Sequence, residues 1–159
     1  MSTRFTRYTA SPEGEVTFFL IGMRVNSPLQ VRRWGPVVMA MPRMLRYLSS
    51  TPEAGMLGHH QWFGRTTILL SYWRSPEHLQ RFAADAEGPH LEPWRRFRAL
   101  AQDGDVGVWH ETYVAGPGSR EAVYANMGEG FGLAGALGAV QMGAGLQTHA
   151  QRLRAVGQG

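Results

Sequence analysis

Trp109, His110, Glu111 and Tyr113 fall between Val108 and Val114, in a stretch whose β-branched and aromatic make-up otherwise reads as a strand. Strand alternation places Val106, Val108, His110, Thr112 and Val114 on one face and Gly107, Trp109, Glu111 and Tyr113 on the other. Neither set is polar enough to be a plainly solvated face, so whichever turns inward sets an ionisable group among apolar neighbours. Burial would raise the pKa of Glu111 or lower that of His110, and either shift tunes the group for general acid or base work near neutrality. Trp109 and Tyr113 beside Glu111 would make an aromatic wall with polar handles, the common lining for a flat hydrophobic ligand. His110 and Glu111 are therefore the candidate catalytic residues, with Trp109 and Tyr113 as candidate substrate contacts. The competing reading makes one ionisable side chain a satisfied packing residue and puts the other at the surface.

A second cluster runs from Gln61 through Trp62, Phe63 and Gly64 to Arg65. A turn-forming glycine followed by arginine can hold a guanidinium over a carboxylate or enolate, although a surface hairpin ion pair explains the same pattern. Trp62 and Trp73 suit a core or a subunit interface as well as a ligand wall. A haem needs only one axial imidazole in an apolar cavity, and His59, His60, His90 and His110 are the candidates. Adjacent on a strand, His59 and His60 point to opposite faces, so one metal ion cannot readily take both. No H-E-x-x-H run or zinc-type histidine spacing occurs. Gly130 to Gly135 matches G-x-G-x-x-G, but no βαβ unit follows and no acidic residue lies beyond it, so a glycine-rich tail is the simpler reading. Ser71 lacks the pattern of a nucleophile elbow.

The composition narrows the rest. The chain has 159 residues, 43% of them hydrophobic and 18% charged, which describes one globular domain with a proper core. With no cysteine, thiolate nucleophiles, disulfides and iron–sulfur clusters are excluded, and the cytoplasm is the expected compartment. Every one of the 16 basic residues is arginine, which removes lysine Schiff bases and Walker-type lysines. The net charge of +4 leaves nucleic acid conceivable, but Arg32, Arg33, Arg43, Arg46 and the Arg95 to Arg98 cluster sit on separate helical segments with no recognition motif. No apolar run approaches the roughly 20 residues of a membrane span, and no apolar signal region follows the charged first residues, so neither a membrane nor export is expected.

These residues need positioning elements. Val16 to Val25 is apolar on both parities, as in a strand buried on both faces. Asn26-Ser27-Pro28 signals a helix reaching about Leu48, with Val38, Met41, Leu45 and Leu48 along one face and a kink or break expected from Gly35-Pro36 and Pro42. Met56 to Trp73 reads as two strands or one bent strand. Ser75-Pro76-Glu77 caps a helix whose apolar face is Leu79, Phe82, Ala83 and Ala86. Gly88-Pro89 ends it, and Leu91 to Ala101 forms another with Trp94, Phe97 and Ala101 on one stripe. Strands are expected over Val106 to Val114 and Glu121 to Asn126. The order β, α, β, β, α, α, β, β predicts an α+β fold with helices covering one sheet face. Residues 1–14 read as an N-terminal arm, 15–127 as the domain, and 128–159, which hold nine of the 20 glycines, as a tail with weak helix near its end.

The segments WFGRTTILLSYWRSPEHL (from Trp62), PHLEPWRRF (from Pro89), VGVWHETYV (from Val106) and YANM (from Tyr124), following FFLIGMRV (from Phe18), together resemble the family related to the fumagillin-pathway monooxygenase. That family lies within the antibiotic-biosynthesis-monooxygenase-like dimeric α+β barrels, and the resemblance covers about residues 15–133. It implies a ferredoxin-like antiparallel sheet with helices on one face, pairing with a second copy into a homodimeric barrel and leaving a pocket between sheet and helices. Trp62, Arg65, His90, Trp109, His110, Glu111, Tyr113 and Asn126 are the polar or aromatic residues of the matching motifs. The superfamily includes cofactor-free oxygenases and haem enzymes, so fold alone does not select the chemistry.

The resulting expectation is a monooxygenase of secondary metabolism that acts on a hydrophobic, aromatic or polyketide-like small molecule. In its cofactor-free form His110 or Glu111 abstracts a proton, while Arg65, Asn126 and Tyr113 steady the anion that then reduces O₂. Trp62 and Trp109 would line the substrate. The alternatives are a haem enzyme of dehydratase or peroxidase type, with His110, His90 or His60 as ligand, and a non-catalytic ligand-binding dimer.

Overall fold

A computed structural model describes residues 6–85, 88–89 and 91–155. Its elements in chain order are β1 (Arg7–Ala10), β2 (Val16–Val25), α1 (Val31–Ser50), β3 (Met56–Trp62), β4 (Ile68–Trp73), α2 (Pro76–Ala84), α3 (Leu91–Gln102), β5 (Val106–Ala115), β6 (Tyr124–Ala125), α4 (Gly132–Leu137), β7 (Ala139–Gln141) and α5 (His149–Arg154). The doubly apolar strand β2 takes the central place its sequence calls for, in an antiparallel sheet of order β3-β4-β2-β5. Threaded through α1 and then α2 and α3, that order is the ferredoxin-like α+β arrangement expected from the sequence.

Helices α1, α2 and α3 cover one face, where Phe19, Ile21 and Met23 of β2 point. Met23 packs with Phe97, Leu100 and Val106, and Leu48, Trp73 and Leu79 form a second cluster beside Phe19 and Met44. Helix α1 differs from its expected form in two ways. It begins at Val31, because the Asn26 and Ser27 amides donate to the Asp105 carbonyl and tie the end of β2 to the start of β5. It also runs unbroken through Pro36 and Pro42. Both prolines lie on the exposed side, where water can take up the carbonyls they leave unbonded, while buried Leu45 and Leu48 hold the other side down. Ser75 caps α2 as expected, its hydroxyl accepting from the His78 amide. Of that helix's expected apolar face, Ala86 lies outside the described residues.

The arm and the tail are tied together. Strand β1 pairs with β6 on one side and β7 on the other, and this small sheet packs with α4 against the face opposite α1. The core there joins Tyr8 and Val16 to Tyr72, Leu133 and Ala134. The strand expected from Glu121 to Asn126 shrinks to Tyr124–Ala125, since the segment before it serves as a clamp. Arg120 donates to the carbonyls of Pro12, Glu13, Gly14 and Ala115, and Glu121 pairs with Arg152 of α5. Arginines are spent in this way elsewhere as well: Arg33 pairs with Asp103 and Asp105, and Arg96 with Glu92.

Two local features hold the sheet face opposite α1 in place. Gly22 sits across from Trp109 in the β2–β5 register, and a Cβ there would collide with the Thr67 carbonyl and the Trp109 indole. His60 accepts a hydrogen bond at Nε2 from the Gly132 amide at 2.7 Å, with the Phe131 ring 4.4 Å from its own, which docks the start of α4 on β3.

Two outcomes are predicted. Gly22→Ala destabilises the fold by about 2 kcal/mol, as expected for overpacking against a backbone oxygen that cannot yield, and denaturant unfolding measures it. The second concerns acid. Nε2 of His60 must be unprotonated to accept, and burial holds this imidazole below its ordinary 6.5. The unfolded chain therefore binds the proton at higher pH than the folded chain does. Stability from this contact is complete above 6.5 and is lost as pH falls through the lowered folded value. Protection of the Gly132 amide against exchange, taken relative to the unstructured rate at the same pH, should fall on acidification, and His60→Gln should flatten that dependence.

Candidate active site

Between the sheet and α1, α2 and α3 lies a cleft with two lobes. The larger, of about 310 Å³, has Phe19, Ile21 and Leu69 as its floor, with Leu48, Leu79 and Phe82 among the residues above. The smaller, of about 100 Å³, extends toward Met23, Met41 and Phe97. Ile21, Met44, Leu69 and Trp94 belong to both, so the lobes adjoin at these side chains. The larger lobe is within the size range of small-molecule sites. Met23, Met41, Met44 and Met56 contribute flexible thioether walls that fit themselves to a ligand.

The register of β5 on β2 decides which half of the 108–114 stretch meets this cleft. Phe19 pairs with Thr112 and Ile21 with His110, so those two side chains share the helix-facing side. His110 lies on the wall of the larger lobe, its ring 6.0 Å from that of Phe19. Among the described residues lining either lobe it is the one ionisable side chain. Ser71 is nearby, but its hydroxyl donates to the Phe19 carbonyl and accepts from the Trp73 indole, so it is already committed. Thr112, one step along the same face, supplies a hydroxyl that the sequence reading had not assigned. Strand parity was the signal that could have found it.

Glu111 faces the other way. Tyr113 donates to its Oε2 at 2.7 Å, and this bond, with the carboxylate charge behind it, pushes the phenol pKa up. The two form a surface pair, so His110 and Glu111 face opposite sides of the sheet. The expectation of two apolar faces is corrected as well: residues 110–114 are exposed on both faces, because β5 is an edge strand and α3 packs over its Val106 end.

The other candidates are not brought to the cleft. Trp62 ends β3 on the face away from the helices, and Arg65 lies exposed in the β3–β4 turn, where its carbonyl accepts from the Val25 amide. Trp109 covers Gly22 on that same far face. Asn126, at a positive φ of 54°, spends its side chain on the Thr6 amide, anchoring the arm. Of the candidate haem ligands, His60 has committed Nε2 to Gly132, His90 lies outside the described residues, and His59 is off the walls of both lobes. Among the described residues His110 is the histidine on the cleft wall. Among the described residues no three His, Asp or Glu side chains converge to hold a metal ion, and no helix is long and apolar enough to cross a membrane.

The chain is 29% identical over 125 residues to Monooxygenase af470 of Aspergillus fumigatus, an alignment covering 72% of this chain and 44% of that protein. The chain thus spans less than half the length of that relative. A looser likeness, at a TM-score of 0.44 and 17% identity, links it to SnoaB, a cofactor-independent oxygenase from Streptomyces nogalater, over 64% of this chain and 93% of that one. The family model described as Monooxygenase af470-like matches residues 16–133, which run from the first residue of β2 into α4. On that match the chain belongs to the af470-like monooxygenase family.

Proposed function

We propose that this protein is a cytoplasmic, homodimeric monooxygenase of secondary metabolism that acts on a hydrophobic, aromatic or polyketide-like small molecule without a resident cofactor. The observation that carries the proposal is the position of His110, among the described residues the one ionisable side chain on the walls of a largely apolar cleft, in a member of a monooxygenase family.

The chemistry follows from what the cleft contains. The imidazole of His110 removes a proton from a substrate methylene flanked by groups that delocalise the charge, leaving an electron-rich carbanion or enolate. The resulting imidazolium balances that charge, and the Thr112 hydroxyl is placed to donate to the oxyanion. The anion reduces O₂, a carbon–oxygen bond forms, and loss of water from the hydroperoxide leaves a carbonyl. One oxygen atom ends in the product and the other in water, with both electron pairs drawn from the two C–H bonds of the methylene. Arg65, Asn126, Tyr113 and Glu111, on their present placement, stay outside this scheme.

Pairing with a second copy is supported by the sheet face away from α1. The tail covers part of it, while Trp62, Ile68 and Tyr113 on that face remain 45%, 37% and 55% exposed. Light scattering after gel filtration should give twice the 17.7 kDa chain mass, and a single-chain mass would sink the dimer.

His110→Ala should lower turnover by about 100-fold or more, the usual loss on removing a general base, while stability changes by no more than about 0.5 kcal/mol. Oxygen uptake with candidate aromatic methylene compounds measures the first and thermal melting the second. Unchanged turnover would take His110 out of the chemistry. A Soret band on adding haem, lost in the variant, would instead make His110 an axial ligand. Saturable binding with no oxygen uptake from any substrate would mark a carrier.

A further inference from the structure

Among the described residues four polar side chains on the cleft walls, Gln61, Gln80, His110 and Thr112, have no hydrogen-bond partner, and Gln61 and His110 stand at opposite ends of one row across the sheet. Gln61 pairs with Leu69, Leu69 with Ile21, and Ile21 with His110. Residues paired directly across an antiparallel sheet share a face, so these four form a single line beneath the helices. Successive strands are separated by about 4.8 Å, which puts the backbones of Gln61 and His110 about 14 Å apart.

Between the two lie only Leu69 and Ile21, roofed by Met44 and Trp94, the same residues at which the two lobes adjoin. Gln61 lines the smaller lobe and His110 the larger. The other polar side chain of the smaller lobe, Thr67, is committed, since its hydroxyl accepts from the Met23 amide and donates to the Met23 carbonyl. The Gln61 carboxamide is half-buried and left with unused donors and acceptor, an arrangement that a ligand's polar group relieves. Neither lobe carries an arginine, although the chain has 16 basic residues that are all arginine. A negative charge at the Gln61 end would therefore be desolvated with no cation to pair it.

We infer that Gln61 is a specificity-determining residue that reads the far end of the substrate. The ligand class it implies is an elongated, mostly apolar molecule with an acidic C–H or O–H at the His110 end and a neutral carbonyl or hydroxyl oxygen at the Gln61 end. A molecule of one ring fills the larger lobe and gains nothing from Gln61. A far-end carboxylate is rejected. The inference rests on the assignment of the cleft as the substrate site, but it concerns recognition and not the oxidation step.

The test uses three probes that differ only at the far end: 4-acetyl-4′-hydroxybiphenyl, 4-hydroxybiphenyl and 4′-hydroxybiphenyl-4-carboxylate. Their affinities are measured by calorimetric titration on the full chain, on Gln61→Leu and on the near-isosteric Gln61→Met, with thermal melting to confirm that each variant is folded. The unchanged protein should bind the ketone about fivefold more tightly than 4-hydroxybiphenyl, the scale of one net hydrogen bond, and should bind the carboxylate most weakly. Either substitution should erase the preference by weakening the ketone alone, and His110→Ala should leave it in place.

Equal affinities in the unchanged protein, a preference that survives in both Gln61 variants, or no binding of any probe up to its solubility limit would overturn the inference. Oxygen uptake separates this from the oxygenase proposal. A Gln61-dependent preference with no uptake from any substrate removes the oxygenase reading and leaves the recognition. Uptake without the preference does the reverse.

Discussion

The antiparallel register of β5 on β2, continuous from Val16 opposite Ala115 to Val25 opposite Val106, is the constraint on which the rest of the molecule depends. Side chains alternate along a strand, so a slip of one residue would turn His110 away from the helices and bring Glu111 and Trp109 under them. Several contacts hold the register. The Asn26 and Ser27 amides converge on the Asp105 carbonyl at one end of the pairing, and Arg33 reaches from α1 to the Asp103 and Asp105 carboxylates beside it. At the other end Arg120 bonds the Ala115 carbonyl together with carbonyls of the segment that leads into β2. Near the middle, Gly22 accepts the Trp109 indole where any side chain would collide.

Once the register is set, the two faces of the sheet take different work. The face under α1, α2 and α3 combines packed clusters with a cleft that the packing leaves between them. The opposite face is partly closed by the chain's own ends, with β1, β6, β7 and α4 packed on Tyr72 and Val16. This division separates the polar residues of one short stretch. His110 faces an apolar cleft, whereas Glu111 is bound by Tyr113 in solvent on the other side. Among the described residues His110 is the ionisable side chain that meets the cleft, on a wall that also carries Gln61, Gln80 and Thr112.

The elements themselves were largely legible in the sequence. The double-parity run of β2, the Ser75 cap of α2 and the Trp94, Phe97 and Ala101 stripe of α3 are local signals, set by side-chain alternation, capping and helical periodicity, and they recur in the structure at those places. Where the reading departed, a long-range contact had overridden a local one. Asn26 and Ser27 bond to Asp105 and delay α1, and the packing of Leu45 and Leu48 carries that helix through two prolines. The segment from Arg120 gives its backbone and side chains to clamping the two ends, which leaves β6 only two residues long.

By itself the sequence determined the element order, the α+β class, the division of Val106 to Val114 into two opposed sets of side chains, and the absence of thiol and lysine chemistry. Each of these depends on residue identity and spacing over a few positions, which the chain carries explicitly. Only the tertiary structure decided which set faces the cleft, that His110 is the ionisable group left there, and that Gln61, nearly fifty residues earlier, lies on the same cross-strand row. Those facts are set by strand pairing and by the helices that pack on one face, and distant residues become neighbours through pairings that no local pattern encodes. The same reason explains the placement of Asn126 and Arg65, which the arm and the β3–β4 turn hold off the walls of the cleft.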